Sequence, residues 1–160
     1  MINEQELSVF VESALEFFYK NTGIAASMDE PRIELIDPPI RDVVGLIEIS
    51  GVAKGFVYTT AKREDITHLL NAMGEKEVDG FMIQDIVGEL ASIISSNARH
   101  KFGDKFKVSV PKILVPGGRK VMETSLTVLV LPIRWRSAVF EVVIGVELDH
   151  QEMSHEQHIE

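Results

Sequence analysis

The sequence has no cysteine, so neither a disulfide framework nor a thiolate metal site can form, and nothing in it indicates an oxidising compartment. It also lacks an apolar run near the roughly 18 residues of a membrane-spanning helix, and its first residues carry neither the basic segment nor the apolar run of a signal peptide. We therefore expect a cytoplasmic protein that does not insert into a membrane.

Basic residues are scarce, because 16 lysines and arginines stand against 25 aspartates and glutamates, and the formal net charge is −9. This excess of negative charge opposes nonspecific binding to nucleic acid and to anionic lipid. We expect a basic or neutral protein partner and no nucleic-acid partner.

The length of 160 residues and the apolar fraction of 45% predict one compact domain, which we assign to residues 1–148. The remaining residues, 149–160, form a polar tail in which His150, His155 and His158 stand among acidic residues. Metal binding by these imidazoles is conceivable. Disorder is the better interpretation, because the tail has almost nothing apolar to bury. We expect no metal site in the domain.

Residues 78–100 predict one amphipathic helix around which the rest of the chain is organised. The apolar residues on its inward side are Ile83, Ile86, Val87, Leu90, Ile94 and Ala98. The polar residues on its outward side are Asp85, Glu89, Ser92, Ser96 and Arg99. Asp85, Glu89 and Ser92 stand at i, i+4 and i+7, so they form a row that can address one partner. Asn97 projects toward the inward side, where we expect it to satisfy a buried backbone group.

The remaining pattern predicts an α+β fold, with helices packed on a mainly antiparallel sheet. The predicted helices flanking the central one are residues 3–21 and 62–73. The predicted strands are residues 32–36, 43–50, 55–60, 106–110, 112–115, 121–131 and 137–148. Residues 132–136 are expected to turn the chain between the last two strands.

Two further features have competing interpretations. Trp135, between two arginines, could be a stacking platform, but a hairpin-tip or subunit-contact role fits an acidic chain better. The first helix carries four glutamates that could be mistaken for a catalytic set, and a solvated helix face is the better interpretation. These glutamates are Glu4, Glu6, Glu12 and Glu16.

The central motif, Asp85-x-x-x-Glu89-x-x-Ser92 followed by Asn97-Ala98 and by Pro111, resembles the signature of the CheC/CheX/FliY family of chemotaxis phosphatases. The order of helices and strands is also similar, and a single copy of the signature is CheX-like rather than CheC-like. The resemblance implies a CheC-like fold and hydrolysis of the aspartyl phosphate on a CheY-type response regulator in two-component signalling. It also implies that the chain needs no cofactor of its own and that Mg²⁺ is carried by the phosphorylated partner.

The same resemblance implies roles for individual residues. Glu89 matches the glutamate that engages the regulator's active-site lysine, and Ser92 occupies the place of the asparagine that orients the attacking water. Asp85, Glu89 and Ser96 are the expected partner-binding residues. Serine offers one hydroxyl near the backbone, whereas asparagine offers an acceptor and two donor hydrogens on a longer arm. The alternatives to a phosphatase are therefore a catalytically weak or inactive regulator-binding module and a structural component of a flagellar switch.

The sequence also predicts self-association. Residues 121–131 and 137–148 are long apolar strands whose exposed edges or faces would be an aggregation liability in a monomer. The family resemblance likewise implies a homodimer.

Overall fold

The computed structural model of the chain describes residues 2–35, 37–117 and 127–151. The helices in these ranges are α1 (Glu4–Thr22), α2 (Arg63–Ala72) and α3 (Gly80–Phe102). The strands are β1 (Ser27–Met28), β2 (Arg32–Glu34), β3 (Val43–Gly51), β4 (Ala53–Ala61), β5 (Phe106–Val108), β6 (Lys112–Leu114), β7 (Val128–Trp135) and β8 (Ala138–Leu148).

The described strands form one sheet in the order β1-β7-β8-β4-β3-β5, with β2 also paired to β7 and β6 also paired to β3. Every pairing among them is antiparallel. Helix α3 packs on β3 and β4, and α1 and α2 pack beside α3. The predicted α+β fold with a mainly antiparallel sheet is confirmed.

Helix α1 begins with a capping box in which the Asn3 side chain accepts from Glu6 N at 2.8 Å and the Glu6 carboxylate accepts from Asn3 N at 2.9 Å. The prediction of a solvated glutamate face is therefore wrong for Glu6, which is buried. Its Oε1 also lies 3.0 Å from His150 Nε2. The start of the predicted tail thus contacts α1, and residues 152–160 of that tail lie outside the described residues.

The sheet has a hydrophobic core on each face. On the helical face, aromatic residues of α1 such as Phe10 and Phe18 pack with α3 and with the inner side of β8. The opposite face has a smaller core formed by Val44, Leu46, Phe56, Tyr58, Val128, Val130 and Val143. The segment before β3 contributes to this second core, because the Tyr58 hydroxyl donates to the Pro39 carbonyl at 2.8 Å.

One carboxylate is buried on the second face. Glu141 accepts from Arg41 Nε at 2.6 Å and from Arg32 at 3.4 Å, so its charge is neutralised by two cations. A buried carboxylate needs such partners, because burial alone strongly disfavours the charged form. The pair of arginines ties β2 and the segment before β3 to the sheet.

The predicted turn at residues 132–136 is wrong, because β7 continues through Pro132 to Trp135 and the chain turns at Arg136 and Ser137. Proline is tolerated here because its backbone faces the gap between the end of β1 and the start of β2. No N–H is needed in that gap, and the Pro132 carbonyl still accepts from Asp29 N at 2.9 Å. Residues 121–126 of the predicted strand lie outside the described residues.

Trp135 ends β7 and pairs with Ala138 across the turn, so its predicted position at a hairpin tip is confirmed. The side chain is buried, so the predicted subunit-contact role is wrong. Its Nε1 donates to the Ile24 carbonyl at 3.2 Å, and its ring stacks on Phe18 with the ring centroids 6.3 Å apart. A buried indole needs a partner for its N–H, and the loop after α1 supplies it.

The two long C-terminal strands are interior strands within the described part of the sheet. Strand β8 lies between β7 and β4, and β7 is covered by β1 and β2. The exposed-edge argument for a dimer therefore does not apply to them. Among the described residues, no helix is both long enough and apolar enough to cross a membrane.

Candidate functional site

Helix α3 presents the predicted row of polar side chains. Asp79 caps its N-terminus, because the Asp79 carboxylate accepts from Met82 N at 2.8 Å, and the predicted inward residues of the helix are all buried. These inward residues are Ile83, Ile86, Val87, Leu90, Ile94 and Ala98. The amphipathic pattern is thus confirmed.

The outward side of α3 brings Asp85, Glu89, Ser92 and Ser96 onto one face, which we call the signature face. Asp85, Glu89 and Ser96 are exposed, and Ser92 is half-buried. Glu89 and Ser92 are one helical turn apart, so their side chains lie about 4.5 Å apart along the axis. This spacing lets both side chains reach one small group on a partner surface.

The signature face carries unneutralised negative charge. Among the described residues, neither Asp85 nor Glu89 forms an ion pair with any side chain. Arg99 and His100 are exposed in the last turn of the same helix, about 15 Å along the axis from Glu89. Both carboxylates are therefore available to a cationic partner group.

The backbone beneath the face is held against the sheet from two strands. The Thr59 hydroxyl of β4 donates to the Val87 carbonyl at 2.9 Å in a buried bond. Gly45 of β3 packs so closely that a Cβ on it would lie 2.8 Å from the same carbonyl and 3.1 Å from the Gly88 Cα. Glu89 follows directly on this fixed segment.

Pro111 lies beside the same point of the helix. A Cβ on Gly88 would lie 3.5 Å from Pro111 Cβ and 2.6 Å from Ile113 Cδ1. The loop before Pro111 is pinned to β3, because Ser109 N donates to the Glu48 carbonyl at 3.0 Å and the Ser109 hydroxyl accepts from Glu48 N at 2.9 Å. The proline of the sequence motif is thus part of the site's wall.

The family model "Chemotaxis phosphatase CheX" matches residues 43–134, more than half of the 160-residue chain. That range contains Asp85, Glu89, Ser92, Ser96 and Pro111. The chain belongs to the CheX family.

Solved structures agree with this family. The fold is similar to CheX from Desulfovibrio desulfuricans, with 21% identity, a TM-score of 0.76, and coverage of 90% of this chain and 99% of that one. It is similar to the CheX–CheY–BeF₃–Mg²⁺ complex from Borrelia burgdorferi, with 18% identity, a TM-score of 0.74 and coverage of 88% and 97%. It is also similar to FliY from Thermotoga maritima, with 16% identity, a TM-score of 0.62 and coverage of 97% and 96%. No curated protein matches the sequence significantly.

Asn97 of this CheX-family chain does not satisfy a buried backbone group, and that prediction is wrong. The residue is exposed, and its Nδ2 donates to the Ser13 hydroxyl of α1 at 2.6 Å. The helical angle directs Asn97 toward the inward side of α3, but the sequence pattern alone does not show that α1 lies beside it there. The bond bridges the floor of an open groove of about 780 Å³ between α1 and α3.

Two exposed apolar residues beside the signature face were not singled out from the sequence. Phe81 is in the first turn of α3, and Val110 precedes Pro111. The angle of Phe81 on the helix could have revealed its position, since it precedes Asp85 by one turn. The position of Val110 depends on the contact between Pro111 and Gly88.

The CheX-family site offers carboxylates and hydroxyls rather than a ligand set for a metal. Within residues 2–35, 37–117 and 127–151, no three His, Asp or Glu side chains are placed to hold a metal ion. What the signature face can do is bind a cation of a partner through Glu89 and orient a water molecule through Ser92.

Proposed function

We propose that this CheX-family chain hydrolyses the aspartyl phosphate of a CheY-type response regulator. Glu89 binds the lysine beside the phosphorylated aspartate, and Ser92 holds the attacking water in line with phosphorus. The observation that carries the proposal is the placement of Glu89 and Ser92 one turn apart on an exposed face whose backbone is fixed by Thr59 and Gly45.

The charge of the face supports a partner that brings its own cations. Asp85 and Glu89 would repel an aspartyl phosphate that approached alone. Bringing like charges together in a partly desolvated interface costs roughly several kcal/mol. A lysine opposite Glu89 and a Mg²⁺ ion on the phosphate would reverse the sign of this interaction. The Borrelia CheX–CheY complex contains both BeF₃ and Mg²⁺. We accordingly assign Mg²⁺ to the regulator and no cofactor to this chain.

Ser92 can hydrogen-bond to a water molecule, but its hydroxyl lies nearer the helix than the amide group of an asparagine would. Its hydroxyl can accept one hydrogen bond from the water and donate another. The main contribution of Ser92 is to position the water molecule, because a water molecule in line with a good leaving group needs little activation. A displacement of about 1 Å can lose on the order of a hundredfold in rate. We therefore expect this chain to hydrolyse the phosphate more slowly than a phosphatase with asparagine at this position.

The decisive experiment follows loss of phosphate from candidate regulators. Phosphorylated CheY-type domains are incubated with substoichiometric protein in the presence of Mg²⁺, and the remaining phosphoprotein is measured over time. The proposal predicts loss faster than spontaneous hydrolysis and multiple turnovers. Binding without acceleration would identify a regulator-binding module, and neither binding nor acceleration would favour a structural role, as in a flagellar switch.

We further propose that the chain pairs with a second copy. The described edge near β2 exposes Ile33 and Leu35, whose apolar surfaces would be covered in such a pair. Light scattering at tens of micromolar should give twice the chain mass. A monomer at that concentration, or a dimer unchanged by Leu35→Asp, would contradict pairing at this edge. A cytoplasmic location, which the sequence predicts, is also part of the proposal.

A further inference from the structure

Two of the exposed large apolar residues border the signature face. Phe81 is 77% exposed and Val110 is 85% exposed. The other exposed large apolar residues of the described chain lie on other elements. They are Tyr19, Ile24, Ile33, Leu35 and Val115.

Phe81 lies on the same stripe of α3 as the polar row. It precedes Asp85 by four residues and Ser92 by eleven, and eleven residues bring two side chains to within about 20° around a helix axis. Its side chain therefore projects to the same side as Asp85 and Ser92, about 16 Å along the axis from Ser92.

Val110 is the second exposed apolar residue beside the signature face. The hydrogen bonds of Ser109 to Glu48 hold the residue before it, and the packing of Pro111 on Gly88 holds the residue after it. Gly88 is seven residues after Phe81, or about 10 Å along the helix. Phe81 thus precedes Asp85 along the helix, and the segment that carries Val110 meets the helix at Gly88, after Asp85.

We propose that Phe81 and Val110 are apolar anchors that bind the phosphorylated regulator on either side of the Asp85 carboxylate. The inference rests on the proposed function and adds two specificity-determining residues to it. Apolar contacts that surround an ion pair exclude water from it, and the pair is then stronger than in bulk solvent. The matching partner surface has a cationic centre flanked by two apolar patches.

The charge of the face argues for this occupant and against a second copy of the chain. A two-fold symmetric contact would place the same surface against itself. A contact centred on Asp85 and Glu89 would bring these carboxylates of the two copies together, because the exposed Arg99 of the same helix lies about 15 Å farther along the axis than Glu89. A basic regulator surface meets the same residues with complementary charge.

The test measures binding and turnover of Phe81→Ala, Val110→Ala and the double variant. The probe is a regulator activated with BeF₃⁻ and Mg²⁺, and Kd is obtained by titration. Each single change should weaken binding about tenfold, which equals about 1.4 kcal/mol, and the double change about a hundredfold. Because neither side chain touches the reacting atoms, KM should rise while kcat stays constant.

Matched controls remove apolar surface elsewhere. Tyr19→Ala removes a 62% exposed aromatic ring from α1, and Val115→Ala shortens a 51% exposed valine beyond β6. Neither control should change Kd. All variants should melt at the temperature of the parent within a few degrees, since the side chains are solvated.

The outcomes separate this inference from the proposed function. Loss of binding in Glu89→Lys with unchanged Kd in both anchor variants overturns the anchors and leaves the docking function intact. A parent that binds no phosphorylated regulator overturns both. A Phe81→Ala variant that loses self-association instead of regulator binding assigns the surface to contact between copies, and that result also overturns the inference.

Discussion

Gly45 of β3 and Gly88 of α3 touch with no side chain between them, since a Cβ on Gly45 would come within 3.1 Å of the Gly88 Cα. The helix therefore lies close to the sheet at this point. A Cβ on Gly88 would meet the side chains of Pro111 and Ile113. Glu89 is the next residue, so the height and direction of the proposed docking carboxylate are set by this glycine contact.

Gly45→Ala should destabilise the protein and displace the site. The added methyl group would lie 2.8 Å from the Val87 carbonyl, which is backbone and cannot rotate away. We expect a loss of about 1–3 kcal/mol in the free energy of unfolding, together with lower turnover. Urea denaturation measures the first quantity. Gly80→Ala is the control, because nothing lies within 4 Å of its added methyl group. Equal stability of Gly45→Ala and the parent would show that α3 is not constrained here.

The local periodicity of the sequence was sufficient to predict α3, its inward residues and its polar row. Each of these depends only on the angle between side chains on one helix. The contact between Gly45 and Gly88 was not predicted, because it joins two elements and leaves no pattern in either. The same holds for the wall formed by Pro111.

The mistaken predictions share a cause. Trp135 hydrogen-bonds to Ile24, and Asn97 hydrogen-bonds to Ser13, so both partners come from the distant N-terminal part of the chain. The sequence predicts a turn at Pro132, since proline usually interrupts a strand. Only the gap between β1 and β2 makes it acceptable there, and that gap is visible only in the assembled sheet.

The second face of the sheet gives a pH prediction. Burial, with a smaller contribution from the charge of Glu141, raises the pKa of Tyr58 above its usual value. The unfolded chain releases this proton near pH 10, about the ordinary pKa of tyrosine, while the folded chain retains it. The stability that Tyr58 contributes is therefore complete below about pH 10 and is lost as the pH rises above it.

Tyr58→Phe tests this prediction. The variant loses the hydrogen bond to the Pro39 carbonyl, so it should be about 1 kcal/mol less stable near neutral pH. Between about pH 9 and about pH 11 the parent should lose stability faster, and the difference between the two proteins should shrink. Urea unfolding across this range measures it. Parallel curves would mean that Tyr58 does not titrate differently in the folded and unfolded states.

Glu89→Lys should abolish binding of the phosphorylated regulator. The change places a positive charge opposite the lysine that the proposal assigns to the partner. Two like charges at this distance cost roughly several kcal/mol of binding free energy. The fold should survive, because Glu89 is exposed and forms no ion pair with the described residues. Titration and thermal melting measure the two effects. Glu75→Lys carries the same charge change on an exposed loop and should bind normally. Unimpaired binding by Glu89→Lys would refute the docking assignment.

Ser92 is the residue on which an enzyme and a binding module differ. It is half-buried on the signature face, one turn after Glu89, and a longer side chain there can extend toward the partner. Ser92→Asn would supply an amide acceptor and two donor hydrogens farther from the helix. Stability should change by less than about 1 kcal/mol, so a change in rate would report the position of water and not folding.

We expect Ser92→Asn to dephosphorylate the regulator roughly tenfold faster or more, with Kd unchanged. Ser92→Ala should be slower than the parent, since it cannot bond to the water at all. Single-turnover measurements with saturating protein separate this step from binding. If alanine matched the parent and asparagine added nothing, position 92 would have no part in catalysis. Glu89 would then still dock the regulator, and the signature face would function as a binding surface without turnover.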